Sequence, residues 1–189
     1  MAIESAIGRL LRRFHAGDVH LAWNEPKLSD APETISLTSA AFADNAAIPA
    51  RFAGVGVGDN LSPPLAWSNV PSETKELMLI MQDPDAPLPK PVVHLIVTGI
   101  PMNVSSIAEG GLTPGANPQF HFGRGSFGRI GYMGPRPVRG HGPHRYIFQI
   151  FALADTMSVS EKPDFKAVMA RINRPILARG RLVGTFERS

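Results

Sequence analysis

Two short segments of this chain carry the side chains that could do chemistry. The first is Asp83-Pro84-Asp85-Ala86-Pro87, followed by His94 inside the apolar run Val92 to Val97. The second is Gly131-Tyr132-Met133-Gly134-Pro135-Arg136-Pro137, which leads to His144-Arg145-Tyr146. Each sets a few polar groups at the end of an apolar run, beside stiff Pro/Gly turns. Asp83 follows Met81 by two positions and therefore shares its face on an extended strand. The Asp-Pro and Ala-Pro steps restrict the backbone around Asp85 and admit a cis bond. Read alone, Asp-Pro-Asp-Ala-Pro is a turn. His94, enclosed by apolar neighbours, is either a hydrogen-bonded core residue or an imidazole oriented by one of the two aspartates.

The second segment is more specific. His144 and Tyr146 share one face of a strand, while Arg145 points the other way and suits a structural salt bridge. Glycines in the preceding loop let backbone N–H groups approach a ligand. Two imidazoles, a phenol and free N–H groups fit a phosphate or a carboxylate. Asp83 and Asp85 would then serve a cationic part of the same ligand. Two other chemistries draw on the same residues. His, Asp and Tyr could act as general acid and base, and two His with two Asp could hold a metal. No Gly-x-Ser-x-Gly elbow is present, and no serine is tied by sequence to the histidines.

The elements that must position these groups are short. Gly 18 and Pro 18 are spread through 189 residues without a period, which predicts many turns between short strands. Ile35 to Thr38 alternates, Leu65 to Trp67 is a short strand, and Leu77 to Met81 is the apolar centre of a buried strand over 76–82. Val92 to Ile100, Tyr146 to Leu153 and Leu182 to Phe186 follow as strands. Their spacing, with no long helix between them, predicts antiparallel pairing in a sandwich rather than βαβ units. Glycine-rich and polar residues from Glu109 to Gly131 predict a long loop beside the site. Phe165, Val168, Met169 and Ile172 predict a late helix that Pro175 breaks or kinks.

The N-terminus is different. Ile3, Ile7, Leu10, Leu11 and Phe14 fall on one helical face, flanked by Arg9, Arg12 and Arg13. The expectation is a helix that packs this stripe on the domain or on a partner subunit. The alternative is a basic amphipathic helix lying on anionic lipid, weakened by Gly8. Glu4 comes early and the arginines late, the reverse of a secretion signal. Pro26 and Pro32 mark a linker. The division expected is residues 1–32 as helix and linker, then 33–189 as one domain.

Composition excludes several classes. Hydrophobic residues are 43% and charged residues 19%, which is globular rather than disordered. Cysteine is absent, so disulfides, thiolate catalysis and Cys-ligated metals are excluded. That fits a cytoplasmic setting. Net charge is +3, with no basic tract or nucleic-acid motif. No apolar stretch approaches the roughly 18 residues of a membrane span.

Several segments match a known family. They are Ala50-Arg51-Phe52, Leu61-Ser62-Pro63-Pro64-Leu65-Ala66-Trp67, Val70-Pro71-Ser72-Glu73-Thr74-Lys75, Asp83-Pro84-Asp85-Ala86-Pro87 with His94, Phe127-Gly128-Arg129-Ile130-Gly131-Tyr132, and His144-Arg145-Tyr146. In this order, from about Ile35 to Glu187, the chain resembles the phosphatidylethanolamine-binding protein family, also called Raf kinase inhibitor-like, in its bacterial branch. The resemblance implies a mostly β fold: a Greek-key antiparallel β-sandwich with peripheral helices and an anion pocket at one end. The pocket residues it implies are Asp83, Asp85, His94, His144 and Tyr146, with Arg136, Pro137 and Val138 from the loop. The sequence departs from the family at Arg136-Pro137-Val138, where a small residue then Pro-Pro is usual. It departs again at Val93, where an aromatic is common, and at Pro175, where bacterial relatives often carry His.

The function expected is a binding protein for a phosphate or phosphoethanolamine-like headgroup, with no cofactor and no metal. A protein partner is a further expectation, of the kinase- or protease-inhibitor kind known for some relatives. The alternative is a small hydrolase or transferase. A homodimer through the N-terminal stripe is also expected.

Overall fold

A computed structural model describes residues 2–157 and 161–188. In chain order its elements are helix α1 (Ala2–Leu11), strands β1 (Ser36–Thr38), β2 (Ala46–Ala47), β3 (Leu65–Ser68), β4 (Glu76–Asp83), β5 (Val92–Pro101), β6 (Ser106–Ile107), β7 (His121–Phe122) and β8 (His144–Leu153), helix α2 (Phe165–Arg171), and strand β9 (Ile176–Phe186). The strands form a three-stranded sheet, β1-β3-β6, and a six-stranded sheet, β2-β9-β8-β4-β5-β7. Every pairing is antiparallel except β2 with β9, which is parallel. The mostly β architecture with peripheral helices is the one expected.

β4 lies between β5 and β8, and all of its residues are buried. Its side chains alternate between two cores. Leu77, Leu79 and Met81 meet Leu37, Leu65 and Trp67 of the small sheet. Met78 and Ile80 face the opposite side, against Leu21, Trp23, Leu28 and Val168. A strand buried on both faces reads as an unbroken apolar run, even though its neighbours here are antiparallel.

The second core is where the structure departs from the sequence reading. Residues 16–31, expected as a linker, pack on the outer face of the six-stranded sheet. The Ala22 N–H donates to Gln82 Oε1 (2.7 Å), and the Trp23 N–H donates to Gln149 Oε1 (2.7 Å). The Arg179 guanidinium lies 4.0 Å over the Trp23 ring and donates to the Trp23 carbonyl (2.8 Å). Buried glutamines and an arginine that satisfy backbone groups of a distant segment leave no local periodicity to read.

β9 begins six residues before the expected strand, because Pro175 lies outside both elements. α2 has already ended, with Ile172 as its C-cap, and Asp164 caps its start by accepting from the Ala167 N–H (2.8 Å). α1 forms as expected but docks by its other face. Gly8 sits so close to the Arg139 carbonyl that a Cβ would lie 1.9 Å from it. The Arg188 guanidinium donates to Glu4 (3.0 Å), and Arg12 Nε donates to the Gly140 carbonyl (2.7 Å). Ile3, Ile7, Leu10 and Phe14 face outward. Gly8 is therefore the close-contact residue of the interface rather than a defect in the helix.

Candidate functional site

The register brings the two segments together. Asp83 is the last residue of β4, paired with Val92 at the start of β5. Gln82 pairs with Ile147, so β8 starts at the same edge. Three strand ends, from distant parts of the chain, thus meet at one end of the large sheet. Between Met81 and Gln82 the partner in β5 jumps from Leu95 to Val93. His94 is the extra residue of that β-bulge, and a bulge re-aims a side chain. It turns His94 toward the cavity beside Asp83.

That cavity measures about 530 Å³. Asp83, His94, Arg136, Pro137, Val138, His144 and Tyr146 all line it. Asp85, the eighth residue expected there, does not. Arg145 takes its carboxylate, with Nε and Nη2 donating at 2.9 and 2.8 Å and the backbone N–H at 2.8 Å. Burial alone would raise the Asp85 pKa, but these Arg145 hydrogen bonds outweigh it and hold the carboxyl below its ordinary value. Arg145 also pairs with Asp18 (3.1 Å), so it has the structural role expected of it. No cis peptide occurs among the described residues, and the Asp-Pro-Asp-Ala turn is closed by Asp83 instead. Asp83 Oδ1 accepts the Asp85 and Ala86 N–H groups at 2.8 and 3.1 Å.

The aspartate partner expected for His94 belongs to His144. His144 Nδ1 lies 2.8 Å from Asp83 Oδ2, and its Nε2 lies 2.8 Å from His141 Nδ1. His141 Nε2 in turn reaches the carbonyls of Leu11 (2.9 Å) and Phe14 (3.2 Å). Carbonyls only accept, so His141 carries its proton on Nε2 and offers a lone pair at Nδ1. His144 must then donate from Nε2, and a further proton sits between His144 Nδ1 and Asp83 Oδ2. Burial, followed by the nearby His144, lowers the His141 pKa, consistent with a neutral ring there. Every link of this chain is satisfied without a ligand. Both ring nitrogens of His144 are engaged, so it forms part of the wall rather than a free contact.

His94 is the open imidazole. Its Nδ1 lies 2.6 Å from the Met133 carbonyl and must donate to it. Nε2, with no partner among the described residues, is left as the group for a ligand. Burial lowers the His94 pKa, and only partly do Asp83 and the Met133 carbonyl oppose this. The Tyr146 ring stands between the imidazoles, edge-on to His94 (5.1 Å) and stacked near His144 (6.5 Å). Its buried hydroxyl finds no acceptor among the described residues, although the Arg136 backbone N–H lies alongside, and burial raises its pKa well above the ordinary value. Tyr146 is therefore a neutral donor in need of an acceptor.

The loop N–H groups are less available than expected. The Met133 N–H donates to the His94 carbonyl (3.1 Å) and the Gly134 N–H to Asn60 Oδ1 (2.8 Å). Apart from Arg136, the mouth is built from residues that sequence reasoning did not single out for the site. Val55, Leu88 and Phe127 line the cavity and are exposed, Phe127 to 74%. Phe127 has φ +59°, a left-handed conformation that costs a non-glycine residue about 1–2 kcal/mol. Arg129 and Arg136 are exposed in the same rim, and their guanidinium groups have no partner among the described residues. His141 was also missed, because its partners are backbone carbonyls at the far end of the chain. Among the described residues, no serine, threonine, cysteine or lysine lines the cavity, and no group of three metal-ligating side chains occurs.

Comparison with known proteins follows the same outline. A family model described as phosphatidylethanolamine-binding protein matches residues 38–187. A UPF0098 protein of Pyrococcus horikoshii is 38% identical over 160 residues, covering 82% of this chain and 79% of its own. A crystal structure of a phosphatidylethanolamine-binding protein homolog from Chlamydia trachomatis superposes with a TM-score of 0.74 at 34% identity, covering 83% of this chain and 99% of that one. YbcL of Escherichia coli, described as a member of the mammalian family, gives 0.76 at 27% identity, with 82% and 99% covered.

Proposed function

The chain belongs to the phosphatidylethanolamine-binding protein family, and from that premise we propose that it is a binding protein whose cavity takes a small phosphate-bearing anion. The observation that carries this reading is how the charges are distributed. Asp83 is held by His144 and two backbone N–H groups, and Asp85 by Arg145. Arg129 and Arg136, at the mouth, have no charged partner among the described residues. The Tyr146 hydroxyl is free to donate and His94 Nε2 to accept, so a protonated phosphate oxygen has a partner for its hydrogen and another for its lone pair.

The same layout narrows the ligand. A zwitterionic headgroup such as phosphoethanolamine finds no unpaired carboxylate for its ammonium, because the aspartates expected to serve it are engaged. Inorganic phosphate should therefore bind within a few-fold of O-phosphoethanolamine. Titrating each while following the imidazole signals of His94 and His144 by NMR tests the reading. A shift at His94 below millimolar ligand is expected, and its absence would overturn the proposal.

Binding should also depend on pH. An anion that brings no proton of its own can meet Nε2 only when His94 is protonated, so its binding takes up a proton and tightens as pH falls, by at most about tenfold per pH unit for one proton. Sulfate, whose charge is constant in this range, isolates the contribution of the protein. The dependence should vanish in His94→Asn.

A hydrolase or transferase would have to work through His94 and Tyr146 alone, and no observation favours it over binding. Regulation of a partner kinase or protease stays outside the proposal, because it would rest on likeness of fold rather than on a site. A cytoplasmic location goes with the binding reading and is checked by cell fractionation.

A further inference from the structure

The N-terminal helix is docked the wrong way round for a globular surface helix. Amphipathic helices normally bury their apolar stripe. α1 buries Gly8 and half-buries Glu4, Ser5 and Leu11, and leaves Ile3 (78% exposed), Ile7 (49%) and Leu10 (77%) in solvent, with Phe14 (61%) exposed just beyond its end. The docking is specific: Gly8 against the Arg139 carbonyl, Glu4 to Arg188, Arg12 to Gly140, and the Leu11 and Phe14 carbonyls to His141. The outward stripe is therefore held in place by contacts that an inverted helix would lose.

The charges beside the stripe indicate what covers it. Arg9 and Arg13 flank it, exposed, and neither guanidinium has a partner among the described residues. Of the carboxylates near it, Glu4 is engaged by Arg188 and Asp18 with Asp85 by Arg145, which leaves Glu187, exposed beside Arg188, against two unpartnered arginines. A second copy meeting α1 face to face would set its own Arg9 and Arg13 against the same two arginines. An anionic bilayer supplies both an apolar interior for the stripe and phosphates for the arginines. We infer that the outward face of α1 docks this protein on anionic membrane surfaces.

The position of the helix gives the docking a consequence. The 139–141 segment under Gly8 continues directly from Pro137 and Val138 of the cavity wall. The Ala16 and Gly17 N–H groups donate to the carbonyls of Ala86 (2.9 Å) and Pro84 (2.8 Å), in the turn that leads to Leu88 at the mouth. Docking through α1 therefore sets against lipid a helix joined through these two segments to the wall and mouth of the cavity. The inference does not depend on what the cavity binds.

The test uses the full chain and flotation with phosphatidylcholine vesicles, with and without a minor fraction of phosphatidylglycerol. Binding to the anionic vesicles alone is expected, falling as salt rises. The double variant Ile7→Glu, Leu10→Glu should lose at least about tenfold in partitioning, and Arg9→Gln or Arg13→Gln about fivefold each. All four residues are exposed, so an unchanged melting temperature verifies that the variants fold. Soluble O-phosphoethanolamine at constant ionic strength should not displace the protein. Displacement would assign vesicle binding to the cavity and overturn the inference. So would equal binding to both vesicle types, wild-type partitioning by the double variant, or a double variant whose sole effect is conversion of a dimer to a monomer.

Discussion

Each polar residue of the site has a partner that fixes its role. Asp85 was read as a group for a cationic part of the ligand and as a pocket residue implied by the family resemblance, but Arg145 grips it on three hydrogen bonds. Asp85→Asn should therefore cost about 1–2 kcal/mol in urea unfolding, a value kept modest because Arg145 is partly exposed. Phosphate affinity should stay within a factor of about two, since a residue outside the cavity wall contributes little to binding. His94 and His141 predict the acid limb of stability. Both pKa values are lowered in the folded chain, so below the ordinary value of 6.5 the unfolded chain takes up protons first. Their contribution is complete above about pH 6.5 and is lost as pH falls toward the native values, at up to about 1.4 kcal/mol per pH unit for each proton. Melting temperatures between about pH 7 and pH 5 check this. His141→Asn should flatten the decline, whatever it does to the absolute stability. His141 also marks a limit of sequence reading: it stands between two glycines, and nothing near it announces the carbonyls of residues 11 and 14.

At the scale of elements, apolar runs long enough to cross the sheet were legible from the side chains. β4, β5 and β8 appear within two residues of the expected bounds, because a strand buried on both faces is apolar throughout. The bulge at His94 was not legible, since it is set by the register against β4 rather than by residue type. α1 shows the same division. Its periodicity predicted a helix, but the face it buries is decided by Gly8 and the Arg139 carbonyl. Gly8→Val should lift α1 off the 139–141 segment, because the nearest obstacle to a Cβ is backbone rather than a flexible side chain. Hydrogen exchange should then quicken at amides 5–14 while β4 and β8 stay protected. If protection at α1 is unchanged, the helix does not rest there.

For the whole molecule, the second core makes residues 16–31 part of the domain. Leu21, Trp23 and Leu28 cover Met78, Ile80 and Phe151, and burying three such side chains contributes on the order of 5 kcal/mol. That is comparable with the total stability of a domain. Trp23→Ala should cost about 3–5 kcal/mol, read as a lower urea midpoint, and a chain begun at Glu33 should aggregate rather than merely change its oligomeric state. Point variants on α1, not truncation, therefore separate docking from folding. The sequence alone determined which strands are buried, which two segments hold the polar groups, and the family. Those depend on side-chain type and order, which the chain carries locally. Tertiary structure decided which aspartate meets which imidazole, that Tyr146 stands between the two histidines, and that the N-terminal stripe faces outward. Each of these is a contact between residues far apart in the chain, chosen by strand register and close packing, and no local pattern encodes it.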